Sequence, residues 1–307
     1  MNTGGQESFR SGFVAIVGRP NMGKSTFLNR VLGQKVAIVS PKPQTTRTRI
    51  LGAHSADGVQ IVFLDTPGIH KAGKNLLNKA MVQTAMQSCQ EVDALLYFVD
   101  AERGLVDADL EIIEQLPRGD APIYLIVNKV DLVDAEKLLP LLQRAGEKAF
   151  PFAEVIPLSA QRGDNVDHLV GLLEKAMPEG PRYFPEEMVT DQPERFIAAE
   201  IVREKLFLNL QQELPYAMAV QVESYEEAEN GTLFFHALIL VHRDSHKAMV
   251  IGKKGAMLKK VGSAARFELE RLLGTKAVVK LWVKVKKDWM DNRQMLQELG
   301  YPDELSS

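Results

Sequence analysis

At 307 residues, 45% apolar and 25% charged, the chain has the make-up of about two ordinary folded cores and excludes a disordered or fibrous protein. Its polar start, MNTGGQESFRSG, carries no apolar leader, no stretch reaches the ~18 apolar residues of a membrane span, and a lone Cys89 allows no internal disulfide and no zinc cluster. The net charge of −3 hides a segment, Arg243 to Lys287, in which thirteen Lys/Arg oppose three acidic residues, a local +10 that suits a polyanion.

After a flexible start over 1–10, residues 11–177 alternate β-branched runs with longer amphipathic stretches. The runs are Phe13–Val17, Val59–Leu64, Ala94–Val99, Ile123–Val127 and Glu154–Pro157, each closed by a loop of Gly, Pro, Asp or Asn. Strands separated by helix-length crossovers predict an α/β domain with a mainly parallel sheet and a ligand at the strands' carboxyl ends.

The first of those loops is Gly18-Arg19-Pro20-Asn21-Met22-Gly23-Lys24-Ser25, followed by Thr26 and a helical pattern. This is the phosphate-cradling pattern G-x-x-x-x-G-K-[ST]: backbone N–H groups turn inward, Lys24 reaches the β/γ oxygens and Ser25 offers its hydroxyl to Mg²⁺. The second strand run leads into Asp65-Thr66-Pro67-Gly68, where Asp65 can orient the water shell of the metal and the Gly68 N–H can meet a γ-phosphate. Upstream, either Thr45 or Thr46 could be the switch threonine that caps Mg²⁺; Arg47 beside Thr46 resembles the T-R pair of related GTPases, which favours Thr46. Lys24, Thr46 and Gly68 are thus the candidate catalytic groups. Asn128-Lys129-Val130-Asp131 closes another strand, and the ionised Asp131 can accept from the two adjacent donors of guanine that adenine lacks. Asn128 can serve the opposite edge while Lys129 packs along the ring. Ser159-Ala160 resembles the element whose N–H meets guanine O6.

Four prolines in 178–194 read as an interdomain linker. From 195 to 290 the order is helix, two apolar strands, a helix near Ser245–Ile251, a helix Ala256–Leu273 and a strand Val278–Lys286, with 291–307 as a tail. In the last strand Val279, Leu281, Val283 and Val285 share one face, and Lys280, Trp282, Lys284 and Lys286 the other. Trp282 could stack on a base or pack under a helix. Between the two helices lies Gly252-Lys253-Lys254-Gly255, which in this order of elements resembles the G-x-x-G loop of an α+β type II KH domain and would grip about four single-stranded nucleotides. Ile251, Gly252, Lys253, Lys254, Gly255, Lys259 and Lys260 are the candidate RNA contacts. Val250 and Ile251 suit a base groove or the core equally well.

Taken together, GRPNMGKS, QTTR, DTPG, NKVD, SAQ, FIAAEIVREKLFLNLQQELPY, MVIGKKGAMLKKVG and LWVKVKKDW span nearly the whole chain and resemble the Era family of P-loop GTPases. The resemblance implies slow GTP hydrolysis, Mg²⁺, binding of the 16S rRNA 3′ end, small (30S) ribosomal subunit biogenesis and a cytoplasmic monomer with peripheral inner-membrane association. Asn21 matches the asparagine that ligates K⁺ in some relatives. Ras-like enzymes place a water-orienting glutamine after the D-x-x-G glycine; Ile69 occupies that place here and cannot hydrogen-bond water, and the neighbouring His70 reads as a switch-loop histidine. The competing reading is a GTPase acting on a non-ribosomal target, its basic module docked on protein or anionic membrane.

Overall fold

The computed structural model describes residues 8–70, 75–117, 119–146 and 152–301. Most of the expected flexible start and the last residues of the expected tail lie outside that set. Two compact units emerge: Met1–Val36, Thr46–Lys71 and Val82–Asp191 form one, and Ala37–Thr45, Ala72–Met81 and Gln192–Ser307 the other.

The first unit holds a six-stranded sheet built from β1 (Arg10–Gly18), β2 (Ile50–Ala56), β3 (Val59–Asp65), β4 (Ala94–Asp100), β5 (Ile123–Asn128) and β6 (Phe152–Leu158), in the order β2-β3-β1-β4-β5-β6. All neighbours are parallel except β2 and β3. Every residue of β3 and β4 is buried, as expected of a parallel sheet covered on both faces, and continuous apolar runs are its sequence signature. The helices of this unit are α1 (Lys24–Leu32), α3 (Asp107–Gln115), α4 (Ala135–Gly146), α5 (Val166–Ala176) and the second half of α2 (Leu76–Gln87), whose residues up to Met81 belong to the second unit. Strand β2 has no counterpart among the predicted runs. Its sequence, ILGAHSA, is too poor in large apolar residues to register as a run, and it forms through a tight turn at Gly58 (φ 71°) that folds it antiparallel onto β3.

The proline-rich stretch contains no helix or strand, yet it is held along the first unit. Gln60, fully buried, accepts the Tyr183 and Phe184 N–H groups at 2.9 and 3.0 Å, and Thr190 donates to the Leu51 carbonyl at 2.6 Å. Most of the expected linker is therefore an ordered edge of that unit.

In the second unit β7 (Met218–Glu227), β8 (Leu233–Val241) and β9 (Ala277–Val285) form a sheet in that order, β7 antiparallel and β9 parallel to β8. Helices α6 (Glu194–Asn209), α7 (Asp244–Ile251) and α8 (Ala256–Leu273) cover one face, burying Ile201, Phe207, Phe235, Ile239, Val250, Val261 and Leu269. Val279, Leu281, Val283 and Val285 pack against this core, the face the alternation assigned to them.

The opposite face of the sheet is also covered. Leu238, Leu240 and Ala219 meet Leu77, Ala80 and Met81, together with Trp289, Leu296 and Tyr301 from the end of the chain. The expected tail begins inside a 3-10 turn at Trp289–Asp291 and continues as a helix, α9 (Arg293–Glu298), capped by Asn292, whose side chain accepts the Met295 N–H at 3.0 Å. Trp289 is fully buried and donates its indole N–H to the Ala217 carbonyl. Burying so large a ring explains why these residues order. Among the described residues no helix is long and apolar enough to cross a membrane.

Candidate nucleotide and RNA sites

The nucleotide candidates converge at the carboxyl edge of the six-stranded sheet. Strand β1 ends at Gly18 (φ 136°), where a Cβ would stand 2.4 Å from the Phe98 carbonyl. Asn21 and Gly23 take left-handed backbone (φ 65° and 89°), curling the chain back before α1 begins. Arg19 turns away from the loop and pairs with buried Asp109 at 3.0 Å, which also accepts the Tyr97 hydroxyl at 3.1 Å. Pro20 backs the second phosphate loop: a Cβ on Gly68 would stand 2.6 Å from the Pro20 Cα. The two loops are laced together by the Ile69 N–H on the Gly18 carbonyl at 3.1 Å, and the Thr66 hydroxyl, fully buried beside Pro67, donates to the Ile16 carbonyl at 2.8 Å. Ile69 is buried in the core around Val99 and Val127, and His70 Nδ1 lies 2.9 Å from the Gly68 carbonyl.

Lys24 is buried and donates to the Gly18 and Arg19 carbonyls at 3.0 and 2.9 Å. Burial lowers its pKa to about 8, opposed by Asp65. Asp65 is fully buried, and burial raises its pKa to about 6 against the pull of Lys24 and of its hydrogen bonds. Its Oδ2 accepts the Ser25 hydroxyl at 2.6 Å, and the Ser25 and Thr46 hydroxyls lie 2.8 Å apart. The other carboxylate oxygen, Oδ1, is buried with no hydrogen-bond partner. A carboxylate oxygen left bare beside two hydroxyls fits a hard, oxygen-seeking cation, and one carboxylate is what Mg²⁺ takes from a protein when phosphates supply the rest. Thr45 points elsewhere: its hydroxyl donates to the Lys42 carbonyl at 2.7 Å.

At the base end, Asn128 ties three segments together, donating to the Met22 carbonyl at 2.7 Å and accepting the Ala160 N–H at 2.9 Å. The Ala160 N–H expected at guanine O6 is thus engaged by Asn128, while the second hydrogen of the Asn128 amide is still on hand for a base. Asp131, in a 3-10 turn that starts at Val130, accepts the Ser159 hydroxyl at 2.6 Å. Lys129 adopts left-handed backbone and pairs with Asp100 at 2.7 Å. Thr26, in the first turn of α1, is half-buried. Two contributors escaped the motif search: Asp100, which aligns Lys129, and Arg30, which reaches the Ala160 and Gln161 carbonyls from the last turn of α1. Neither belongs to a pattern with fixed spacing.

In the second unit α7 ends at Ile251, partly buried against the core, and Val250 is fully buried. Val250 is a core residue, and Ile251 packs against that core. Gly252 (φ 71°), Lys254 (φ 52°) and Gly255 (φ 78°) all take positive-φ backbone, which presents Lys253 and Lys254 to solvent before α8 starts. An open cleft of about 510 Å³ follows, walled by Gly255, Leu258, Lys259, Gly262 and Arg266 of α8 and by Val279 and Leu281 of β9. Lys260 is exposed on α8, outside the wall of this cleft. Gly262 brings helix and strand close, since even a Cβ there would touch Leu281 at 3.5 Å. Leu258, Gly262, Ser263 and Arg266 were missed because an ordinary helical stripe marks them. Trp282 is exposed, with its indole N–H on Glu223 at 3.2 Å and its ring 5.5 Å from His236, and among the described residues no helix covers it.

Residues 13–129 match the family described as 50S ribosome-binding GTPase, and residues 213–290 match the KH domain family. GTPase Era of Geobacter metallireducens is 54% identical over 294 residues, which are 95% of this chain and 98% of that relative. The chain belongs to the Era family of GTPases. Era of Lacticaseibacillus paracasei is 49% identical over 95% of this chain and 96% of its own length. Two solved Era structures, one the Aquifex aeolicus protein carrying a point substitution and bound to GDP·AlF4⁻, the other in complex with MgGDPNP and nucleotides 1506–1542 of 16S ribosomal RNA, each superpose with a TM-score of 0.92 at 41% identity, covering 95% of this chain and 99% of theirs.

Proposed function

We propose that this chain binds GTP with Mg²⁺, hydrolyses it, and uses the nucleotide to control binding of the single-stranded 3′ end of 16S rRNA during assembly of the small ribosomal subunit. The observation that carries the nucleotide half is the bare, buried Asp65 Oδ1 beside the Ser25 and Thr46 hydroxyls. When bound, Mg²⁺ would offset charge on the β- and γ-phosphate oxygens and hold Asp65 ionised against its burial.

The chain's own groups then have defined tasks. Lys24 spends two of its three N–H donors on the Gly18 and Arg19 carbonyls, which leaves one aimed for the β/γ oxygens. Ser25 and Thr46 would hold the cation when it is bound, and Asp65, which keeps Ser25 in place, would act on it through water. The Gly68 N–H, in a loop that Pro20 backs, stabilises charge that develops on the γ-phosphate. Asp131 selects guanine, and Ser159 fixes its carboxylate. Ile69, buried in the core, takes no part in orienting water; Asn21 is our candidate ligand for K⁺.

For the RNA half, the uncovered cleft beside GKKG supports a short single-stranded segment on α8 and β9, with Lys253, Lys254, Lys259 and Arg266 meeting phosphates. The Era complex with nucleotides 1506–1542 of 16S rRNA supports that segment as the target. Titration of fluorescent GTP and ATP with and without EDTA, followed by hydrolysis in K⁺ and in Na⁺, tests the first half. Equal affinity for the two nucleotides, or indifference to EDTA, overturns it; equal rates in the two salts remove K⁺ alone.

A further inference from the structure

One face of β9 walls the cleft beside GKKG, through Val279 and Leu281. Lys280, Trp282 and Lys284 alternate onto the other face, about 6–7 Å apart along the strand. β9 lies at the edge of its sheet, which runs β7-β8-β9. A strand of RNA leaving the cleft therefore has only the width of β9 to cross before it meets that second face.

The second face is divided. At one end Leu238, Leu240 and Ala219 are covered by Leu77, Met81 and Trp289. At the other, Trp282 stands 44% exposed, its ring 5.5 Å from that of His236, which is in register with Lys280. The indole N–H on Glu223, at 3.2 Å, holds the ring by its edge. A ring already held loses little freedom when a flat partner settles on it. Any base supplies such a partner, because stacking needs only a π-face. Lys280 and Lys284 flank Trp282, both exposed, and among the described residues neither forms an ion pair. Across the sheet, β7 carries Glu223, Glu226 and Glu227, all exposed, which repel a polyanion and confine it to β9.

We propose that this far face of β9 is a second RNA contact. A single strand that fills the cleft passes over the free edge of β9 and stacks one base on Trp282, with Lys280 and Lys284 neutralising the phosphates on either side. The proposal rests on the cleft beside GKKG binding single-stranded RNA.

The two tryptophans of the chain make the test direct, since Trp289 is fully buried and Trp282 is not. The full chain is titrated with RNA of the 16S 3′ end in two lengths, one of about four nucleotides, which fills a KH groove, and one about three times longer. The longer strand quenches tryptophan emission and the shorter does not, and Trp282→Phe removes the emission that responds. Trp282→Ala weakens the longer strand by about fivefold to 100-fold, the range for loss of one base–aromatic stack, and leaves the shorter unchanged. Replacing Lys280 and Lys284 by Gln flattens the salt dependence of the longer strand alone, by about 0.7 log unit each, and serves if Trp282→Ala does not fold. Replacement of Lys253 and Lys254 by Asp is measured in parallel. If that change weakens both strands while the Trp282 and Lys280/Lys284 variants weaken neither, the inference alone is overturned; if it weakens neither strand, the cleft reading falls and takes the inference with it. Equal losses for the two lengths assign Trp282 a packing role and overturn the inference, as does tryptophan emission that the longer strand leaves unchanged.

Discussion

Gly23→Ala probes how closely the phosphate loop and the base-recognition loop are built on one another. Gly23 precedes α1 at φ 89°, and a Cβ there would stand 2.1 Å from Asn128 Nδ2, far inside van der Waals distance. An alanine in left-handed backbone costs about 1–2 kcal/mol. The clash falls on an amide that cannot rotate aside without loss, because it is bonded to the Met22 carbonyl at 2.7 Å and the Ala160 N–H at 2.9 Å. Losing both bonds costs about 1 kcal/mol each. The substitution therefore raises the free energy of the nucleotide-ready loops by roughly 3–4 kcal/mol, which at 1.4 kcal/mol per tenfold weakens GTP and GDP binding by two to three orders of magnitude. Calorimetric titration of both nucleotides, with thermal melting as a control, reads the effect. Asn128→Ala, which loses the ties without strain at residue 23, gives the smaller loss of about 2 kcal/mol. A Gly23→Ala protein that binds GTP within about threefold of the parent, with an unchanged melting point, refutes the reasoning, since a factor that small is well under 1 kcal/mol.

Three further outcomes are expected. Asp131→Asn weakens GTP by several kcal/mol, roughly the sum of two hydrogen bonds to a charged acceptor, and gains affinity for xanthosine triphosphate; competition binding checks it, and an unchanged GTP preference counts against Asp131. Trp289→Ala empties a fully buried site and destabilises the second unit by about 3–5 kcal/mol, seen in denaturant melts, while GTP affinity is preserved. Replacing Lys253 and Lys254 by Asp weakens single-stranded RNA binding and flattens its salt dependence by up to ~0.7 log unit for each phosphate that is no longer neutralised; unchanged salt slopes in fluorescence anisotropy would place the RNA elsewhere.

Sequence reading worked best where chemistry or burial constrains several neighbouring residues at once. The parallel strands were legible because burial on both faces demands continuous apolar runs such as ALLYFVD and IYLIVN. The loops at residues 18–25, 65–68 and 128–131 were legible because their glycine, lysine, aspartate and asparagine follow patterns of fixed spacing, and the structure brings all three to the carboxyl edge of one sheet. Strand β2 was not, since an edge strand with Gly52, His54 and Ser55 has no apolar periodicity of its own and exists through its pairing with β3. The order beyond residue 290 was hidden for a related reason. Trp289, Leu296 and Tyr301 are too few and too widely spaced to suggest a core segment until Leu238 and Leu240 supply the surface they cover. Thr45 and Thr46 illustrate the remaining limit: adjacent identical residues differ only in which way the backbone turns them, so that the Thr45 hydroxyl donates to the Lys42 carbonyl and the Thr46 hydroxyl lies beside Ser25.

The central claim is that nucleotide state governs RNA binding. A ligand shifts such an equilibrium only through its different affinity for the two states, typically by ~1–3 kcal/mol of coupling. The direct measurement is the affinity of the full chain for an oligonucleotide of the 16S rRNA 3′ end, by fluorescence anisotropy at one fixed salt concentration, with Mg²⁺ and either a non-hydrolysable GTP analogue or GDP. Tighter RNA binding with the GTP analogue, by roughly 5-fold to 150-fold, is the predicted result. Equal affinity across GTP analogue, GDP and no nucleotide would contradict the account and leave a GTPase and an RNA-binding module with no switch between them.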